Sequence, residues 1–156
     1  MLGLSDAKVE GLTDLKGKRV AVVANTTTIK ALREALRDRL IDAEVVPVSS
    51  ASEGMAALDR REVDAFSSDQ IVLIGQVFVR KNRKRYFLSK ELYSFEPFAL
   101  AIQRGDADFQ LVADSALSRL NRSGLIVAIY RKWFKRFAKK PPIGLRALYQ
   151  LNATPE

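Results

Sequence analysis

Four residues stand out for the chemistry that their types and positions permit: Asn25, Thr26, Thr27 and Asp69. The first three follow the apolar run Val20-Ala-Val-Val-Ala24 and precede a helical pattern. Hydroxyls at a strand-to-helix junction, with the N–H groups of the first helical turn, form a nest for an anion such as a carboxylate or phosphate. Asp69 follows the second apolar run, Val63-Asp-Ala-Phe66. A carboxylate there can hold an ammonium group through charge-assisted hydrogen bonds. In open α/β sheets, ligands bind at the edge where strands deliver their C-terminal ends. An anion nest and a carboxylate at neighbouring strand ends match the two ends of a zwitterionic amino acid. Each residue also has a local reading. Thr27 or Thr28 serves as a helix N-cap, and Asp69 caps a helix that begins at Gln70. Asp64, inside the strand, reads as structural, and Asn25 suits a turn that needs positive φ.

The elements that must position these groups follow from periodicity. Residues 20–24 read as a buried strand, residues 44–48 as the next strand and residues 63–66 as a third. Between the first two, Leu32, Ala35, Leu36 and Leu40 recur at helical spacing. Ser50-Ala-Ser-Glu53 has the capping-box pattern, with Met55 and Leu58 on one face behind it. A helical turn or two is expected over residues 69–76. Strand, helix, strand, helix, strand predicts βαβ units over a parallel sheet. A basic loop over residues 80–85 leads to Tyr86-Phe-Leu88, and Phe95-Glu-Pro-Phe-Ala-Leu-Ala-Ile102 follows, with Pro97 at a strand start or a crossover. Asp106 then caps a helix whose apolar face is Phe109, Val112, Ala113, Ala116, Leu117 and Leu120. Ser123-Gly124 breaks it, and residues 125–137 form another, with Ile126, Ile129, Tyr130 and Trp133 facing a core, until Pro141-Pro142. The stretch after Ile143 has no strong period and is expected to wrap the surface.

Composition removes several classes of function. The 156 residues include no histidine and no cysteine. The commonest general base, thiol nucleophiles, disulfides and thiolate metal sites are therefore missing. No P-loop, Rossmann glycine fingerprint or metal-ligand cluster occurs, and neither a cofactor nor a catalytic residue is expected. No apolar run approaches a membrane span. Met1-Leu-Gly-Leu-Ser-Asp lacks the basic start and apolar core of a secretory signal peptide. The net charge of +8 sits largely in two groups, Arg80 to Arg85 and Arg131 to Lys140, which read as solvated faces.

The order of these motifs resembles the polar amino acid substrate-binding proteins of bacterial ABC importers, which have the periplasmic binding protein-like II fold. Leu12-Thr-Asp-Leu-Lys-Gly-Lys-Arg-Val-Ala-Val is similar to the entry into the family's second lobe, and Asn25-Thr-Thr27 to its Gly-Thr-Thr triplet. Val63-Asp-Ala-Phe-Ser-Ser-Asp69 is similar to its ligand-binding strand end, Phe98-Ala-Leu-Ala-Ile-Gln-Arg-Gly-Asp106 to its return strand, and Gly124-Leu-Ile-Val-Ala-Ile-Tyr-Arg-Lys-Trp-Phe134 to its closing helix. Pro-Pro and the trailing residues 148–152 look most like the glutamate/aspartate-type branch.

The resemblance implies an α/β architecture with one complete parallel-sheet lobe, residues 13–93. The C-terminal part of a second lobe follows at residues 97–140, and a tail at residues 141–156. It implies that Thr26 and Thr27 bind a ligand α-carboxylate and Asp69 its α-ammonium, with Asn25 standing where the family has glycine. A lobe preceding this sequence would supply further contacts, including an arginine. The implied setting is periplasmic, the implied partners an amino acid ligand and the permease subunits of an ABC transporter. No nucleic acid is expected. Helices that would pack on the preceding lobe offer a surface for self-association. Two alternatives remain at this level: a dehydratase-like enzyme on the same fold, working through Asp69, or a binder of nucleic acid or anionic membrane through the two basic groups.

Overall fold

The computed structural model describes residues 1–7, 9–94, 99–134, 141 and 143–153. The chain divides into two compact units, Met1–Pro97 and Phe98–Glu156.

The first unit is built on a mixed five-stranded sheet of order β3-β2-β4-β1-β5. Its strands are β1 (Leu2–Leu4), β2 (Arg19–Val23), β3 (Glu44–Val48), β4 (Ala65–Ser67) and β5 (Tyr86–Leu88). β2 pairs in parallel with β3 and with β4, as the βαβ pattern predicts. The sheet is not parallel throughout: β1 runs antiparallel to both β4 and β5. This strand was not legible in the sequence. Leu-Gly-Leu is too short for a period, and only its pairing with β4 and β5 defines it as a strand.

Helix α1 (Thr27–Asp38) joins β2 to β3, α2 (Ala51–Asp59) joins β3 to β4, and α3 (Gln70–Phe78) follows β4. Strand side chains alternate between two faces. Val20, Val22 and Ala65 join Ile29, Leu32 and Leu36 of α1 in one buried cluster, with Met1, Val9, Leu12 and Leu15. On the other face Phe66 lies against Gly54 of α2. Leu40 departs from the expected apolar stripe. It lies beyond the helix with φ 54° and is 92% exposed, because the chain has already turned toward β3.

Helix starts follow their cap chemistry. Ser50 accepts from Glu53 N–H at 3.2 Å, while the Glu53 carboxylate reaches back one residue further than a standard capping box, to Ser49 N–H at 2.7 Å. Asp64 is structural, as expected: its carboxylate accepts from Arg19 N–H at 2.8 Å.

The second unit contains α4 (Ala107–Arg122), α5 (Leu125–Phe134) and α6 (Ile143–Leu151). Asp106 caps α4 by accepting from Phe109 N–H at 3.0 Å, and Gly124, at φ 73°, separates α4 from α5. The apolar faces expected to be buried are largely open. Phe109, Val112, Leu117, Ile129 and Trp133 are between 42% and 65% exposed. Residues after 143, expected to be irregular, form α6, which packs on α4. Residues 99–102 carry no strand, and the rest of the expected return strand, like the end of the 125–137 helix, lies outside the described residues.

Candidate functional site

The chain leaves β2 through α1 to one side of the sheet and returns through α2 to β4 on the other side. The C-terminal ends of β2 and β4 therefore flank the point where strand order reverses. Such switch points open a crevice at the C-terminal edge, the standard ligand position of doubly wound sheets. Thr26 and Thr27 follow β2, and Asp69 follows β4. The register brings Val22 opposite Ser67, so the two strand ends are immediate neighbours, about 4.8 Å apart in the hydrogen-bonding direction.

On the β2 side, Asn25 takes the left-handed conformation at φ 59°, which lets the strand turn into the helix. The cap is Thr26, one residue earlier than the sequence suggests. Its hydroxyl donates to Val23 carbonyl at 2.7 Å and accepts from Ile29 N–H at 3.4 Å. Both functions of that hydroxyl are thus used internally. An anion here would be held by backbone N–H groups of the opening turn of α1, where the helix dipole also favours negative charge. Thr27, in that turn, is exposed.

On the β4 side, Asp69 precedes α3, but its side chain makes no capping hydrogen bond. Among the described residues its half-buried carboxylate has no hydrogen bond or ion pair. The local reading of Asp69 as a side-chain cap is therefore not realised. This contrasts with Asp64, Asp106 and Glu53, whose carboxylates all accept from backbone N–H groups.

Two polar residues at the same edge have no counterpart in the sequence reading. Ser67, the last residue of β4, shares a 2.6 Å hydrogen bond with the Tyr93 hydroxyl. Ser67 could have been noticed in the Ser-Ser-Asp run. Tyr93, far along the chain, carries no local signal.

The first basic group is partly consumed within the unit. Arg80 and Arg85 both approach Asp59, at 3.7 and 3.8 Å, and the Arg83 guanidinium stacks over Phe78 at 4.4 Å. Trp133, expected in a core, is 65% exposed with Lys132 over its ring at 5.5 Å. Most of the second basic group lies outside the described residues. Among the described residues there is no cluster of metal-ligating side chains, and no helix is long and apolar enough to cross a membrane.

Comparison with known proteins places this geometry in a class. The fold is that of type II periplasmic binding proteins, and the chain's relatives are amino-acid-binding components of ABC transporters. The L-glutamate/L-aspartate-binding protein of Pseudomonas aeruginosa is 28% identical over 152 residues, 97% of this chain and 50% of that protein. The ABC transporter glutamine-binding protein GlnH of Bacillus subtilis is 26% identical over 130 residues, 83% of this chain and 45% of that protein. Among solved structures, an ancestral arginine-binding protein bound to arginine superposes with a TM-score of 0.64 at 26% identity, over 85% of this chain and 58% of that one. A periplasmic binding protein of an ABC transporter from Brucella ovis with glutathione bound gives 0.68 at 26% identity, over 88% and 44%. No family model matches the chain. The chain spans about half the length of the curated relatives it matches.

Proposed function

We propose that the first unit carries one half of an amino acid binding site and that the chain is a solute-binding component of an ABC importer, not an enzyme. The observation that carries this reading is the Asp69 carboxylate. It stands half-buried at a topological switch point, unpaired among the described residues, beside the helix start that follows the neighbouring strand. The opening turn of α1 would take the ligand α-carboxylate and Asp69 its α-ammonium. Asn25 shapes the turn, and Thr26 supports it as a cap rather than as a ligand-binding hydroxyl. The names of the relatives favour glutamate or aspartate as ligand; a periplasmic setting and a membrane permease as partner are what this reading as an importer's solute-binding component calls for.

The test is a titration of the isotope-labelled chain with a panel of L-amino acids, read at the amides of residues 26–29 and 68–70. A one-sided site predicts weak binding, around the millimolar range. L-Glutamate and L-aspartate should perturb both groups of amides, and N-acetyl-L-glutamate, which lacks the ammonium, should spare residues 68–70. Absence of any response at both groups to every amino acid would sink the reading.

A further inference from the structure

β4 is only three residues long, and the direction in which the chain leaves it decides where Asp69 points. Its last residue, Ser67, is fully buried, and a buried hydroxyl requires a partner. That partner is the Tyr93 hydroxyl at 2.6 Å, in a geometry where either group can donate. The Tyr93 ring packs against the cluster that contains Val22, Ile29 and Ala65, so the phenol is held from below by the core that seats α1.

The segment that carries Tyr93 has no regular structure, yet it is anchored closely. Ser89 N–H donates to Met1 carbonyl at 2.9 Å, and the Ser89 hydroxyl donates to Glu10 carbonyl at 2.6 Å. The Glu91 carboxylate accepts from Leu12 N–H at 2.8 Å and pairs with Arg39. Irregular backbone that is fixed by this many side-chain bonds arrives at Ser67 in one place rather than as an ensemble.

We propose that Tyr93 is a positioning residue for the site: its hydroxyl, through Ser67, fixes the end of β4 and so aims Asp69. Tyr93 acts on ligand through another residue and need not touch it. The inference rests on the reading of Asp69 as an ammonium-binding group, but its first test does not use ligand.

Tyr93→Phe removes only the hydroxyl. Amide relaxation should then show increased motion at residues 67–69, with the rest of the sheet unchanged and a thermal midpoint close to that of the parent. Ser67→Ala should give the same local effect, and the double variant should be no worse than either single change, since both remove one bond. If the parent chain binds amino acids as proposed, Tyr93→Phe should weaken binding about fivefold, the size of one ordinary hydrogen bond. Unchanged relaxation at residues 67–69 in Tyr93→Phe overturns the proposal whether or not the chain binds ligand. A fall in thermal midpoint with no local loosening assigns the bond to global stability and overturns it too. A parent chain that loosens on Tyr93→Phe yet binds no amino acid would retain the positioning role and refute the ligand reading instead.

Discussion

Gly54 of α2 lies flush against the ring of Phe66 in β4: a Cβ placed at residue 54 would stand 2.5 Å from Cε2 and 2.6 Å from Cδ2 of that ring. The helix that returns the chain to the switch point can approach β4 this closely only because residue 54 has no side chain. Phe66 is fully buried and has no room to retreat. Alanine would gain about 1 kcal/mol of helix propensity but would overpack the contact at a typical cost of 1–3 kcal/mol. We expect Gly54→Ala to lower stability by about 1 kcal/mol net, read as a fall of several degrees in thermal midpoint. A raised midpoint would show that the ring yields.

Asp69 and Thr26 should separate function from stability in opposite ways. The Asp69 side chain makes no cap bond and no ion pair among the described residues. Asp69→Asn should therefore change stability by less than about 0.5 kcal/mol, while reducing amino acid binding at least tenfold through loss of a charge-assisted contact. Thr26→Ala removes the cap of α1 and should cost about 1 kcal/mol, with a smaller effect on binding because the hydroxyl is already committed to Val23 and Ile29. Paired denaturation and titration of the two variants would check this. Equal losses of both properties in both variants contradict the assignment.

In a polypeptide made to begin at Met1, stability should depend on pH near neutrality through the α-amino group, since the chain has no histidine. Burial pushes the Met1 α-amino group down from 8.0 to about 6, opposed by the nearby Glu91 carboxylate. The unfolded chain then binds more protons than the folded one between pH 6 and 8, so stability rises with pH through that window. Above pH 8 both states are neutral and the penalty is absent; below pH 6 both are protonated and it is complete. Two pH units correspond to about 2–3 kcal/mol at most. Urea midpoints at pH 6 and 8 test this, and acetylation of the α-amino group should flatten the profile.

Glu91 works at the acid end. Its carboxyl is held below the ordinary range, chiefly by the Leu12 N–H and then by the Arg39 guanidinium. That stabilisation is present at neutral pH and is lost as pH falls through the folded-state value. Glu91→Gln should therefore lower stability at pH 7 and leave it little changed in strong acid. An equal effect at both pH values argues against the ionised contact.

The second unit exposes Phe109, Leu111, Val112, Leu125 and Trp133, each more than half accessible. Apolar surface of this extent normally supports association. We expect concentration-dependent sedimentation, relieved by Leu111→Glu or Trp133→Glu, and weaker amide protection over α4 and α5 than over β2 and α1. A strict monomer with uniform protection would contradict both.

The local chemistry was legible in residue type and spacing. The Ser50 and Asp106 caps, the break at Gly124 and the left-handed Asn25 follow from residue type and spacing, because each is fixed within a few neighbouring residues; the parallel run of β2, β3 and β4 follows from their alternation with helices. Thr26 displaced Thr27 and Thr28 as the cap because cap choice depends on where β2 stops, which its pairing with β3 and β4 decides. Tertiary structure was needed to show that β1 exists, that strand order reverses between β2 and β4, and that Tyr93 reaches Ser67. These are long-range relations, set by which strand edge is left open and by a shared core, and no periodicity within one segment encodes them. The same physics left Asp69 unpaired among the described residues: a carboxylate at a helix start is ordinarily a cap, and the turn out of β4 carries it away from that role.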